Sequence, residues 1–389
     1  MAEERALKIT SIELHEFERE VRDFGSLETS EVYEPGTVHR RKSHALKVHT
    51  DAGITGEYVS TFTVIEPAAM GWIAPLLIGR NALERERTYH DLKRVLRHVG
   101  RMGLGPVDNA LWDIAGKYYQ APVYELLGGF RTTFPVYAST AFGDHHGGLD
   151  SPEAFADLAQ RCLERGYRGF KIHPWWTGPI AQDIALVHAV GKRVGGKMDL
   201  MLDPACAYDT FGDAVKVGRA CDDEGFFWLE DPLQDGGLSQ LAHRKLRQLI
   251  KTPLLQGEHV RGVEERMNLL LADATDFVRG DVRLEGITGT MKLAHAAESL
   301  GIDVEIHLGD PATRHCLAAI RNSNYYEWGL VHPKLGRHTD PLYSDGYMDG
   351  DFDGIDGEGC VSVPAGPGLG VSYDWDFIAT HTVASQTYS

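Results

Sequence analysis

Three carboxylates carry most of the chemistry legible in this chain: Asp203 in MDLMLDP, Glu230 in GFFWLEDP and Glu258 in TPLLQGEH. Each closes a short apolar run, and the intervals between them are nearly equal, each long enough for one helix and one strand with their loops. If the runs are parallel strands joined by right-handed helical crossovers, their C-terminal ends all face the same way. The three acids then converge at one rim of a sheet. Taken singly, each is an ordinary helix N-cap or a solvated loop charge. Taken in register, they form an oxygen-only ligand set suited to one hard divalent cation such as Mg²⁺, which keeps positions open for a substrate.

Further strand ends carry polar groups. FKIHPWW places Lys171 and His173 on one face of a strand, because side chains repeat every second residue. RGDVRLEG ends its strand at Asp281, VEIHLGD at His307 and SNYYEWG at Glu327. An Asp and a His on successive strand ends can form a dyad in which the carboxylate orients the imidazole and stabilises its protonated form. Individually, Lys171 is a surface charge, each His a half-buried hydrogen-bonding residue, Asp281 a cap for a helix starting near Thr288, and Glu327 a partner for an arginine. Jointly, they suit removal of a proton alpha to a carboxylate. The resulting enediolate needs strong charge neutralisation, which a divalent cation, Lys171 and Glu327 would supply.

The elements that must position these groups follow from the apolar rhythm. Residues 6–15 and 44–60 alternate as half-exposed strands, the latter turning at Asp-Ala-Gly. The polar stretch between them reads as a long loop, and long loops of this kind are often lids. From about 66 to 127 the pattern is helical, with Val107, Ala110, Leu111, Ile114 and Ala115 on one stripe. Beyond 133, strands ending near Ser139, His173, Asp203, Glu230, Glu258, Asp281, His307 and Glu327 alternate with amphipathic helices. One such helix should start at Ser151-Pro152 and close at Gly166. Strand and helix alternation on this scale predicts a (β/α)₈-type barrel with its active site at the C-terminal rim. The tail, rich in Gly, Asp and Pro, is expected to pack on the N-terminal region. The expected division is a cap with its lid over 1–132, a barrel over 133–339 and a returning segment over 340–389.

The chain of 389 residues carries a formal net charge of −17, which disfavours nucleic acid and anionic membranes as partners. Cys162, Cys206, Cys221, Cys316 and Cys360 are scattered, with no CxxC pair, so neither a disulfide framework nor a zinc site is indicated. No apolar leader or membrane-length stretch is evident, and a cytoplasmic protein is the expectation.

At this point the chain resembles the enolase superfamily, and within it the mandelate racemase subgroup. The segments LWDIAGKYYQAPVYELLGG, KIH, LDP, LEDP, GEH, GDVRLEGITG, EIH and VPAGPGLGVSYD recur in the family's order over nearly the whole length. The resemblance implies a modified (β/α)₇β barrel under an α+β capping domain built from the N-terminal region and the C-terminal tail. It also implies Mg²⁺ on Asp203, Glu230 and Glu258, a His307–Asp281 acid/base dyad, Glu327 hydrogen-bonded to the substrate carboxylate, and Lys171 on a metal-bound carboxylate oxygen. There are two departures. Lys171-Ile172-His173 stands where the racemase pattern has Lys-x-Lys, and the stretch after Asp281 is one residue short, with Glu285 where a Gly pair would begin.

The function expected is Mg²⁺-dependent dehydration of an acid sugar, an aldonate or aldarate, through a metal-stabilised enediolate to a 2-keto-3-deoxy acid. His307 would protonate the departing hydroxide, and His173 would be the opposing base. The competing readings are a racemase or epimerase, a non-catalytic metal-binding scaffold, and a metallohydrolase, for which His145-His146 lacks the required spacing. Specificity is expected from the lid around residues 20–35, the turn near 50–56 and the loop carrying Trp175 and Trp176. Arg41, Lys42 and His44 are candidates to reach the substrate's distal end. A small-molecule carboxylate is the expected partner, and a closed-symmetry homo-oligomer the default assembly.

Overall fold

The computed structural model describes residues 6–27, 30–61, 67–335 and 342–389. The chain opens with two long antiparallel strands, β1 (Ile9–Leu27) and β2 (Ser30–Thr50), then β3 (Thr55–Ser60) pairing with β2. Helices α1 (Pro67–Leu77), α2 (Arg85–Val95), α3 (Leu104–Tyr119) and the short α4 (Val123–Leu126) complete the cap. The apolar stripe expected on α3 is buried throughout.

Eight strands follow: β4 (Thr133–Phe142), β5 (Gly169–His173), β6 (Asp199–Leu202), β7 (Trp228–Glu230), β8 (Leu254–Gln256), β9 (Phe277–Gly280), β10 (Val304–Ile306) and β11 (Tyr326–Val331). Between them lie α5 (Pro152–Arg165), α6 (Ile180–Val194), α7 (Phe211–Glu224), α8 (Gln240–Arg247), α9 (Val263–Leu271), α10 (Val282–Ser299) and α11 (Pro311–Ala319). Strands β4 to β10 pair in parallel in sequence order, and β11 pairs in parallel with the free edge of β4. The sheet therefore curls into a barrel with β10 and β11 as neighbours at the seam, and β11 has no following barrel helix. That is the (β/α)₇β arrangement. The local grammar works as chemistry requires: Ser151 accepts from the Ala154 N–H to cap α5, and Gly166 closes it at φ 105°.

The tail splits its contacts. Strand β12 (Cys360–Ser362) pairs antiparallel with the start of β4, whereas β13 (Thr382–Tyr388), entered through α12 (Trp375–His381), pairs with β1.

The stretch between residues 15 and 44 departs from the expected loop. β1 and β2 continue as a twisted ribbon with register Val21↔His39 and Phe24↔Tyr33. The loop-like signal came from Glu34-Pro35-Gly36-Thr37, which forms an irregularity opposite Asp23, whose carboxylate accepts the Gly36 N–H at 2.7 Å. Of the segment expected to act as a lid, residues 28 and 29 lie outside the described residues. The ribbon reaches the barrel rim, where Val32 pairs in parallel with Phe142 at the end of β4. There Tyr33 lies against the His332 ring, 4.7 Å between centroids, and His332 in turn contacts Asp144 at 3.0 Å.

Cap and barrel also meet at α3 and α10. The α10 backbone breaks at Gly286 (φ 68°, ψ 177°), and α3 satisfies the groups that the break frees. Asn109 accepts from the Ile287 N–H at 3.0 Å, and Asp108 accepts from the Thr288 N–H at 2.8 Å and its hydroxyl at 2.7 Å. No side chain fits at Gly286, because a Cβ would lie 2.4 Å from Asp108 Oδ2. Among the described residues, no helix is long and apolar enough to cross a membrane.

Candidate active site

Asp203, Glu230 and Glu258 follow or end β6, β7 and β8, and each offers a carboxylate oxygen within 4.8 Å of the other two. Lys171, on the inward face of β5, is 1% exposed and its ammonium lies 3.0 Å from Asp203 Oδ2, 3.2 Å from Glu230 Oε2 and 2.8 Å from Glu327 Oε1. Burial alone would depress its pKa; Glu230, Glu327, Tyr137 and Asp203 outweigh that and hold it well above the ordinary lysine value. Lys171 is therefore held as a cation among these carboxylates.

A second buried cation was missed in the sequence. Arg279, on β9 and fully buried, lies 2.8 Å from Glu230 Oε1, 2.7 Å from Glu327 Oε2 and 3.0 Å from the Tyr137 hydroxyl. The signal was present: an arginine two residues before Asp281 shares its face of the strand, inside an otherwise apolar barrel. Glu327 also accepts the Leu308 N–H at 2.8 Å. Burial would raise its pKa, but Lys171, Arg279 and His307 keep it well below the usual carboxylate range.

Removing Arg279 would leave Glu230 Oε1 and Glu327 Oε2 without their buried cation, with Lys171 alone facing the other oxygen of each. Arg279→Met is expected to destabilise the metal-free protein by about 3–5 kcal/mol, the usual penalty for leaving one partner of a buried ion pair uncompensated. An unchanged thermal melt would refute this account of Arg279.

The two histidines flank the triad at opposite edges. His173 Nδ1–H donates to the Thr140 carbonyl at 2.7 Å, and Nε2 lies 3.1 Å from Asp203 Oδ2. The Phe142 ring packs on this imidazole at 4.7 Å. Across the barrel, His307 Nδ1 lies 3.0 Å from Asp281 Oδ2, and its Nε2 is 3.5 Å from Glu258 Oε2. Asp281 faces His307 and also caps the short turn that opens α10 at Val282, its Oδ1 accepting the Arg283 N–H at 2.7 Å, while the helix resumes after the break at Gly286, close to the start expected near Thr288. The Arg283 guanidinium lies 3.0 Å from both Asp281 Oδ2 and His307 Nδ1. Burial would raise the Asp281 pKa; Arg283 and His307 reverse that and keep the carboxylate ionised far into acid. Glu285, at the departure from the family pattern, points away and accepts the Gly262 N–H at 2.6 Å.

Lys171, His173, Asp203, Glu258, His307 and Glu327 line a cavity of about 430 Å³ at the C-terminal ends of the strands, walled also by Phe142, Trp176, Leu308 and Leu330. The other specificity candidates sit elsewhere. Trp175 is buried against Phe155 and donates to the Asp144 carbonyl at 3.0 Å. Arg41 lies by the Phe24 ring on the ribbon, Lys42 pairs with Glu16 at 2.7 Å, and buried His44 faces the same Glu16 at 3.5 Å; none of the three lines this cavity.

The donor set fits a hard divalent cation. All three groups are carboxylates, and Glu258 Oε2 is buried without a hydrogen-bond partner among the described residues, the condition that a coordinated ion relieves.

Comparison with known proteins decides the family. Residues 154–377 match the model for the enolase C-terminal domain-like family, and residues 29–128 match the mandelate racemase / muconate lactonizing enzyme N-terminal domain. The chain belongs to the enolase superfamily, in its mandelate racemase subgroup. Among superfamily structures, D-glucarate dehydratase from Agrobacterium tumefaciens complexed with magnesium superposes with a TM-score of 0.88 at 30% identity, over 97% of this chain and 99% of that one. D-xylonate dehydratase of Haloferax volcanii is 27% identical, over 88% of this chain and 86% of its own. N-succinyl-L-Arg/Lys racemase of Bacillus cereus is 26% identical, over 77% and 79%. The superfamily relatives therefore include both acid-sugar dehydratases and racemases.

Proposed function

We propose that this superfamily member is a Mg²⁺-dependent acid-sugar dehydratase. The observation that carries the reading is the carboxylate triad flanked by an imidazole at each edge, His173 beside Asp203 and His307 beside Glu258. Asp203, Glu230 and Glu258 would hold the cation, which when bound polarises the substrate carboxylate and stabilises charge developing on it. Lys171 would fix that carboxylate by charge, while Glu327, ionised between Lys171 and Arg279, would hold the two cations in place instead of donating the hydrogen bond expected from the sequence.

His173 Nδ1 faces the Thr140 carbonyl, and its Nε2, 3.1 Å from Asp203 Oδ2, is the ring atom that would be free to meet the substrate once Asp203 engages the cation. That atom takes the α-proton. The β C–O bond then breaks with its electron pair leaving on oxygen, and protonated His307 donates to it, so that water departs. The enol left behind tautomerises to a 2-keto-3-deoxy acid. Asp281 supports the imidazolium form of His307 throughout.

A second reading, epimerisation, draws on the same pair of imidazoles and on the racemase among the relatives. Screening mono- and diacid sugars in D₂O by NMR separates the two. Dehydration gives a keto acid, and epimerisation a deuterated isomer with no new carbonyl. Neither product from a broad library, with Mg²⁺ bound, would support a non-catalytic scaffold instead.

A further inference from the structure

A second set of potential ligands sits one step outward on the same three loops. Cys206 follows Asp203, Asp231 follows Glu230 and His259 follows Glu258, and their sulfur, oxygen and nitrogen atoms all lie within 4.8 Å of one another. The loops after β6 and β7 are tied together by backbone bonds, Cys206 N–H to the Asp231 carbonyl at 2.7 Å and Tyr208 N–H to the Pro232 carbonyl at 3.1 Å. This zipper sets the thiol beside the carboxylate. Asp231 is 1% exposed, and neither of its side-chain oxygens has a hydrogen-bond partner among the described residues. A buried carboxylate is rarely left so, and the groups it faces are metal-ligating ones: His259 Nε2 lies 3.8 Å from Asp231 Oδ2. Cys206 and His259 also line the active-site cavity, which leaves the cluster open on that side. The spacing of the cysteines concealed this grouping, since each ligand arrives from a different strand end.

We propose that Cys206, Asp231 and His259 bind a second divalent cation, of the borderline-soft class typified by Zn²⁺ and Co²⁺. The chemistry of the two sets differs in kind. Three carboxylates suit a hard ion, whereas thiolate, imidazole and carboxylate together favour a softer one. Three protein ligands with an open position on the cavity side match the pattern of zinc sites that keep one place for water or an oxygen of the substrate. Of the triad, Glu258 stands nearest this cluster, its Oε1 being 3.2 Å from His259 Nε2. Occupancy of the outer site therefore places a cation at the wall of the reaction cavity.

The inference goes beyond the dehydratase reading, and its test does not depend on turnover. Full-length protein saturated with Mg²⁺ is titrated with Co²⁺ and followed by absorption. The expected result is a saturable thiolate-to-cobalt charge-transfer band in the near ultraviolet, displaced by Zn²⁺. Cys206→Ser should abolish the band. His259→Gln, at a half-exposed position where folding is not at risk, should weaken Co²⁺ binding by about tenfold or more. Absence of the band in the parent protein, or its persistence in Cys206→Ser, overturns the proposal.

Discussion

Chelation with EDTA should abolish the proposed keto-acid formation, and Mg²⁺ should restore it. The magnitude follows from the charges in the pocket. Asp203, Glu230, Glu258 and Glu327 surround two buried cations, Lys171 and Arg279, so the pocket is short of positive charge before a carboxylate substrate arrives. A divalent ion supplying several kcal/mol of transition-state stabilisation corresponds to about 10³-fold or more in rate. Glu230→Gln keeps the side chain's shape but removes a ligand charge, and should lose activity to a similar degree. The same variant should lose most of the rise in melting temperature that Mg²⁺ confers on the parent, since ligand stabilisation tracks affinity. Undiminished turnover in EDTA, or a parent melt indifferent to Mg²⁺, would remove the triad from the mechanism.

Replacement of His307 by Asn should reduce dehydration by about 10²–10⁴-fold, the usual span for a lost general acid. The two imidazoles divide the labour. His307 Nδ1 faces Asp281 with the Arg283 guanidinium beside both, whereas His173 Nδ1 donates to the Thr140 carbonyl and its Nε2 faces Asp203. With a cation in the triad Asp203 would be engaged there while Asp281 would stay with His307, which suits His173 to the base's part and His307 to the donor's. In D₂O, His307→Asn should therefore still exchange the substrate's α-proton while failing to expel the β-hydroxyl, and His173→Asn should lose both exchange and elimination. Mg²⁺ binding by calorimetry should survive in both variants. Normal turnover by His307→Asn, or exchange lost in it and retained in His173→Asn, would assign the roles the other way or to other groups.

Much of the barrel was legible because its information is periodic. Short apolar runs at nearly constant spacing gave the strands, and the polar residue at the end of each run marked the rim. What escaped the sequence was of two kinds. Arg279 is a cation inside a strand whose local signal is its two-residue offset from Asp281, and its partners Glu230, Glu327 and Tyr137, which arrive from three other strands, are not legible locally. The ribbon was obscured because the turn-forming residues Glu34, Pro35 and Gly36 also serve as a bulge within a continuing ladder. Past the end of β5, alternation no longer tells neighbours apart: Trp176 reaches the cavity, whereas Trp175 turns into the core. Asp281 was expected as either a cap or a dyad member; one oxygen caps α10 and the other faces His307, so the two readings were never exclusive.

The ribbon imposes an arithmetic on how this protein can diversify. Its outer turn is stitched to the rim of the barrel through Val32 and Phe142, while its base belongs to the cap. Inserting or deleting residues in pairs would lengthen or shorten the cover and leave every side chain facing as before. A single-residue change would turn the inner surface outward from that point on, unless an irregularity such as the one at Asp23 absorbs it. The reach of the ribbon can therefore drift in steps of two residues while the groups lining the cavity stay where they are.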